Sequence, residues 1–131
     1  MRKLIRMEGG DQCAANQVLY HPGSRGIEFD LLPWSRARDM PIMAYSPLGR
    51  GKLLDEPVLK QVADRHDSTP AQIALAMVLR QEGIIAIPKA SSVEHVELNA
   101  AALDIRLDDE DIAALDRAFP PPTSEQPLDV I

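Results

Sequence analysis

The residues best placed by type and spacing to hold a ligand are Lys89, His95, Asn99, Tyr45 and Ser46. An apolar run, Ile84-Ile85-Ala86-Ile87, passes into Pro88-Lys89-Ala90, and a helix start follows at Ser91 or Ser92. A lysine at the end of a strand, beside the free N–H groups of a helix N-terminus, makes an anion site. His95 and Asn99 stand at i and i+4 on that helix, so both can reach one ligand. The plainer reading is an exposed lysine on a polar helix face. Tyr45-Ser46-Pro47-Leu48-Gly49 puts an aromatic ring and a hydroxyl at another strand end, where simple packing is the competing explanation. Gly49-Arg50-Gly51-Lys52 resembles part of a phosphate loop but lacks the preceding glycine and the following Ser/Thr, and reads as a glycine turn. His21, His66 and His95 are far apart with no carboxylate pattern around them, so metal ligation by any pair is not expected. His66 falls at a helix end, where the dipole accounts for it. There is no GxSxG, HExxH, CxxC or GxGxxG.

Alternating strands and helices must position these residues. A strand is expected over Cys13 to Tyr20, closed by His21-Pro22-Gly23, and then a short helix within Phe29 to Arg38, limited by Pro33. Pro41 to Tyr45 is a second strand. Val58, Leu59, Val62 and Ala63 give Pro57 to His66 a helical spacing. Thr69-Pro70-Ala71-Gln72 is a capping box with proline in the first turn, opening a helix through Arg80 that Gly83 stops. Ile84 to Ile87 is a third strand, apolar on both sides as in a covered parallel sheet. Ser91 and Glu94 are read as a second capping box for a helix through about Ala102. Asp108 and Asp111 start a last helix with Ile112, Leu115 and Phe119 on one side. After Pro120 an extended tail, 120–131, is expected. This order implies right-handed parallel βαβ units, either a small doubly wound sheet or part of a barrel.

Composition sets the class. The 131 residues are 45% hydrophobic and 26% charged, enough for a core. A net charge of -6 argues against a nucleic-acid binder, which would show a basic stripe. No run is long and apolar enough to span a membrane, and the N-terminus lacks a signal-peptide core. The single cysteine, Cys13, suits a reducing cytoplasm and reads as packed rather than reactive.

Taken in order, Asn16-Gln17-Val18-Leu19-Tyr20, Ala44-Tyr45-Ser46-Pro47-Leu48-Gly49, Pro70-Ala71-Gln72, Ile87-Pro88-Lys89-Ala90, Asn99 and Leu115-Asp116 resemble the C-terminal portion of aldo-keto reductases, from about residue 4 to residue 122. The resemblance implies a partial (β/α)8 TIM barrel: its last three parallel strands with their helices, plus an accessory helix. It also implies an NADP site in which Gln17 touches the carboxamide region of the nicotinamide and Tyr45 stacks on the ring. Ser46 and Leu48, with the loop from Gly49 through Gly51, would lie along the pyrophosphate. Lys89, with Ala90 and Ser91 beside it, would meet the adenosine 2′-phosphate, and Asn99 the adenine. His95 stands where many members carry an arginine against that phosphate, so the strength of NADPH preference is left open. The family's catalytic Asp, Tyr, Lys and His belong to earlier strands, so no catalytic residue is expected here. A complete barrel needs roughly 250 residues. The chain is therefore read as one C-terminal fragment, 1–131, of a reductase acting on a small carbonyl substrate. It would pair with a missing N-terminal half or associate with itself through strand edges. The alternative is a non-catalytic nucleotide-binding or oligomeric scaffold.

Overall fold

The computed structural model describes residues 3–130. Three parallel strands, β1 (Asn16–Leu19), β2 (Ile42–Tyr45) and β3 (Ile84–Ile87), form one sheet in the order β1-β2-β3. Helix α1 (Leu31–Arg36) joins β1 to β2. Helices α2 (Pro57–Arg65) and α3 (Pro70–Leu79) join β2 to β3, and α4 (Val93–Ala101) and α5 (Asp109–Ala118) follow. This is part of a (β/α) barrel and not a closed one. β1 occupies only the second half of the predicted strand; Cys13 lies before it, its Sγ donating to the Ala15 carbonyl at 3.2 Å.

Helices α3, α4 and α5 each begin at a side-chain cap, and α2 has only Pro57 in its first turn. Thr69 Oγ1 accepts the Gln72 amide and the Gln72 side chain accepts the Thr69 amide, with Pro70 in the first turn. Asp108 and Asp111 make the same reciprocal pair at α5. Such caps contribute about 1 kcal/mol each. The start of α4 differs from expectation. Its cap is Ser92, in extended backbone, whose Oγ accepts the His95 amide at 3.2 Å; Ser91 and Glu94 do not form the capping box. The third residue after Ser92 is a histidine, so nothing reciprocates.

Helix α3 is buried all round from Gln72 to Val78 because it sits between the sheet and the other helices. One side packs Ile73, Ala74 and Met77 against Leu59, Val62 and Ala63 of α2 and against Leu115 and Phe119 at α5. On the other side Val78 joins Val18, Ile42 and Ala44 of the sheet, with Tyr20, Ile27 and Leu32.

Two groups of buried charge tie these layers together. The Arg25 side chain, 4% exposed, pairs with Glu28 at 2.8 Å and Asp116 at 2.6 Å and also donates to the Phe119 carbonyl. Tyr20 donates to the same Glu28 at 2.7 Å. Burial is the largest influence on the Arg25 guanidinium and pulls its pKa down. The hydrogen bonds and charges of Glu28 and Asp116 outweigh it and raise the pKa above the ordinary value. Asp111, 1% exposed, receives Arg65 and, at 2.6 Å, His66 Nε2, which locks the end of α2 to the start of α5. His66 thus has a specific partner beyond the helix dipole.

Candidate functional site

Side chains alternate across a strand, so register decides which residues share a face. Gln17, Met43 and Ile85 are aligned across the three strands, and two residues further on so are Leu19, Tyr45 and Ile87. These six occupy the face opposite Val18, Ile42 and Ala44. The helices cover the latter. The face bearing Gln17 and Tyr45 is largely open, with Ile85 45% and Ile87 37% exposed. The expectation that β3 is covered on both sides is therefore wrong for this chain: β3 is an edge strand, and only its Ile84 and Ala86 side packs on the helix-side core.

All three strands point the same way, so their C-terminal ends lie at one edge of the sheet, the end at which ligands bind in α/β folds. After β2 the chain bends sharply. Ser46 has φ +49°, and Gly49, Arg50 and Gly51 follow at +55°, +57° and +83°. Two stacked turns result, Gly49 N–H donating to the Ser46 carbonyl at 2.9 Å and Gly51 N–H to the Leu48 carbonyl at 2.8 Å. A Cβ on Gly49 would meet Leu53 Cδ2 at 2.3 Å, so a side chain there would have to displace Leu53 as well as hold a left-handed backbone. This bend borders a cleft of about 270 Å³ lined by Leu19, His21, Ser46, Gly49, Arg50, Lys52 and Leu53. Leu48 is partly buried beside it.

Lys89 is exposed immediately beyond β3, with Ala90 partly buried and Ser91 exposed. His95 is exposed on the first turn of α4. One turn later Asn99 lines a separate hollow of about 230 Å³ with Ala86 and Pro88, next to the Lys89 segment. The sequence-derived residues thus fall into three neighbourhoods: the open face (Gln17 near the start of β1, Tyr45 at the end of β2), the β2 bend (Ser46, Leu48, Gly49) and the β3–α4 rim (Lys89, Ala90, Ser91, His95, Asn99).

Sequence reasoning missed His21 and Lys52 as lining residues of the bend, Arg50 falling within the loop already expected along the pyrophosphate. The signal for His21 was its place just past the β1 end, two residues after Leu19. It missed Asn16 as well, whose side-chain Nδ2 is buried without a hydrogen-bond partner. Among the described residues no group of three or more His, Cys, Asp or Glu side chains is placed to hold a metal. No helix among them is long and apolar enough to cross a membrane.

Comparison with known proteins agrees with this arrangement. The sequence model of the Aldo/keto reductase family matches residues 1–119. The methylglyoxal reductase YeaE of Escherichia coli (strain K12) is 47% identical over 136 residues, an alignment that takes in 100% of this chain and 48% of that protein. The glyoxal reductase of Bacillus subtilis (strain 168) is 36% identical over 101 residues, covering 77% of this chain and 36% of that protein. An aldo/keto reductase from Klebsiella pneumoniae, crystallised in complex with NADP and acetate, superposes with a TM-score of 0.95 at 48% identity over 99% of this chain and 48% of that one. The chain spans at most about half the length of these relatives.

Proposed function

The chain belongs to the aldo/keto reductase family, and from that premise we propose that it is the cofactor-binding, C-terminal part of an NADPH-dependent reductase of aldehydes and ketones. The observation that carries the reading is the gathering of Tyr45, the β2 bend and Lys89 at the C-terminal end of one parallel sheet, with Gln17 on the same open face two residues back in register. Their chemistry fits a dinucleotide. Gln17 offers an amide, and Tyr45 a flat apolar ring, on the open sheet face. Ser46 and Gly49, with Leu48 between them in the chain, border a cleft whose cations, Arg50 and Lys52, suit a diphosphate. Lys89, flanked by Ala90, Ser91 and His95, suits the 2′-phosphate, and Asn99 suits the adenine.

When bound, NADPH supplies the hydride that reduces a carbonyl to an alcohol. This chain's residues bind and orient the cofactor. The proton donor and its supporting residues belong to a part of the enzyme that this chain does not contain. Methylglyoxal and glyoxal, named for the relatives, are the first substrates to test, and the cytoplasm is the expected compartment. The test is to follow NADPH oxidation with methylglyoxal, using the chain alone and then mixed with a polypeptide carrying the first half of a related barrel. Turnover only in the mixture is expected. Turnover by the chain alone that Tyr45→Phe abolishes would overturn the assignment of Tyr45 to the cofactor.

The open edges of β1 and β3 and the exposed Ile85 and Ile87 favour a second reading, a self-associating scaffold that binds nucleotide without turnover. In light scattering, defined oligomers that persist when the barrel half is supplied would support it. Dissociation of those oligomers on supplying that half would favour the reductase.

A further inference from the structure

The end of α3, the segment 102–107 and α5 surround a hollow of about 410 Å³ that opens to solvent. Small-molecule sites commonly occupy roughly 300–1,000 Å³. The walls are aliphatic: Ala76 is buried, and Leu79, Leu107 and Ile112 are each partly buried. Arg80 and Arg106 also line the hollow, and no other charged or polar side chain among the described residues does so. Leu79 and Leu103 border the hollow containing Asn99 as well, so the two hollows share a wall.

Neither arginine is neutralised by the chain itself. Arg106 Nη1 donates to the Leu103 carbonyl at 2.6 Å and more weakly to that of Ile105 at 3.4 Å. Both acceptors belong to residues of the wall, so the guanidinium is pinned there with Nε and Nη2 uncommitted among the described residues. Arg80 ends α3, and its side chain has no hydrogen bond or ion pair among the described residues. Asp104 and Asp108 are close to Arg106 in sequence, yet neither lines the hollow, and Asp108 accepts the Asp111 amide at the start of α5. Arg25 and Arg65, by contrast, are each paired with two carboxylates. A planar guanidinium matches a carboxylate through two parallel N–H donors. The aliphatic walls beside it suit a hydrocarbon chain and offer nothing to the hydroxyls of a sugar acid.

We propose that this hollow binds a small aliphatic carboxylate, its chain against Ala76, Leu79, Leu107 and Ile112 and its head group on Arg80 and Arg106. The site is separate from the strand-end residues, and nothing in it depends on the cofactor reading. Both arginines are exposed, which limits what each contributes. An exposed ion pair is worth about threefold in affinity, so the two together should contribute about tenfold. Burial of the chain supplies the rest, and a short ligand of this kind should bind with a dissociation constant near the millimolar range.

The test is a titration of the full chain, followed by amide NMR at constant ionic strength, with three probes: hexanoate, 1-hexanol and acetate. Hexanoate should shift the Ala76, Leu79, Leu107 and Ile112 amides together and saturably. Hexanol, which keeps the chain and lacks the charge, should move the same amides with about tenfold weaker affinity. Acetate, which keeps the charge and lacks the chain, should not saturate them. Arg80→Met and Arg106→Met should each weaken hexanoate by about threefold and leave hexanol unchanged. The comparison of hexanoate with hexanol uses the unaltered chain, so it decides the matter even where a variant fails to fold. Equal affinity for hexanoate and hexanol would overturn carboxylate recognition. Hexanoate shifts confined to Ala86 and Ala100 in the Asn99 hollow, or to Ile85 and Ile87 on the open sheet face, would overturn the site. Absence of any saturable shift at tens of millimolar hexanoate would overturn it as well.

Discussion

The two faces of the sheet differ in what completes them. Val18, Ile42, Ala44, Ile84 and Ala86 look toward helices that this chain supplies, and there the packing is closed. Gln17, Met43, Tyr45, Ile85 and Ile87 look away from them, and the β3 side chains stand in solvent. Stability is concentrated on the closed face and in the buried ion pairs behind it. The residues proposed to meet the cofactor lie on the open face and along its rim. In a barrel that face is the interior, so three strands cannot cover it. The chain can be tightly packed and still be an incomplete site.

Substitutions can break or sharpen this contrast, and the largest effect should come from Arg25. Arg25→Met leaves the largely buried Glu28 without its cation, Asp116 being about a third exposed, which should cost about 3 kcal/mol in urea unfolding, the low end for a broken buried pair. A loss below about 1 kcal/mol would mean that the clamp is not part of what holds the helix layer. Next comes a direct comparison of the two faces. Ile42→Ala, fully buried, should cost about 2–5 kcal/mol, while Ile85→Ala on the open face should cost less than about 1 kcal/mol. Equal losses would show that the open face is covered in solution, by another copy or by a rearranged segment.

A smaller effect concerns acid. Burial acts most strongly on the Asp111 carboxyl and would raise its pKa. The His66 hydrogen bond, the Asp108 amide and the charges of His66 and Arg65 outweigh it, so the folded value lies below the ordinary 3.8. The sign follows: the contribution of Asp111 is full above about pH 3.8 and is lost as pH falls through the lower folded value. Asp111→Asn should therefore lower stability at neutral pH by about 1–3 kcal/mol, with the difference from wild type shrinking at pH 3 and below. A constant difference across that range would mean that the carboxylate charge is not what matters.

Elements with local causes were legible in the sequence. The parallel βαβ order followed from alternating apolar runs, and the caps at Thr69 and Asp108 from spacings of three residues. Features that depend on distant partners were not legible. Arg25 meets Asp116 across 91 positions, and His66 meets Asp111 across 45, so neither pairing has a local signature. The choice of Ser92 over Ser91 depends on backbone angles that two adjacent serines do not reveal. The apolar run of β3 is that of a strand covered on both sides, which is why it misled: it fits the environment of a whole barrel better than that of this chain. For the candidate site, Tyr45 and Lys89 stood out as polar groups at strand ends. Lys52 did not, because it lies one residue beyond the loop expected along the pyrophosphate, and only the cleft placed it beside Ser46.

The central claim, that the cofactor site lies along the open face and its rim, is tested most directly at Lys89. NADPH and NADH should be titrated against wild type and Lys89→Met by the change in nicotinamide fluorescence. Hydrogen bonds to charged groups contribute roughly 1.5–3 kcal/mol, so the substitution should weaken NADPH by about tenfold or more. NADH, which lacks the 2′-phosphate, should change by less than about twofold on the same scale. Equal losses for both cofactors, or none for NADPH, would contradict the account and remove Lys89 from the phosphate site.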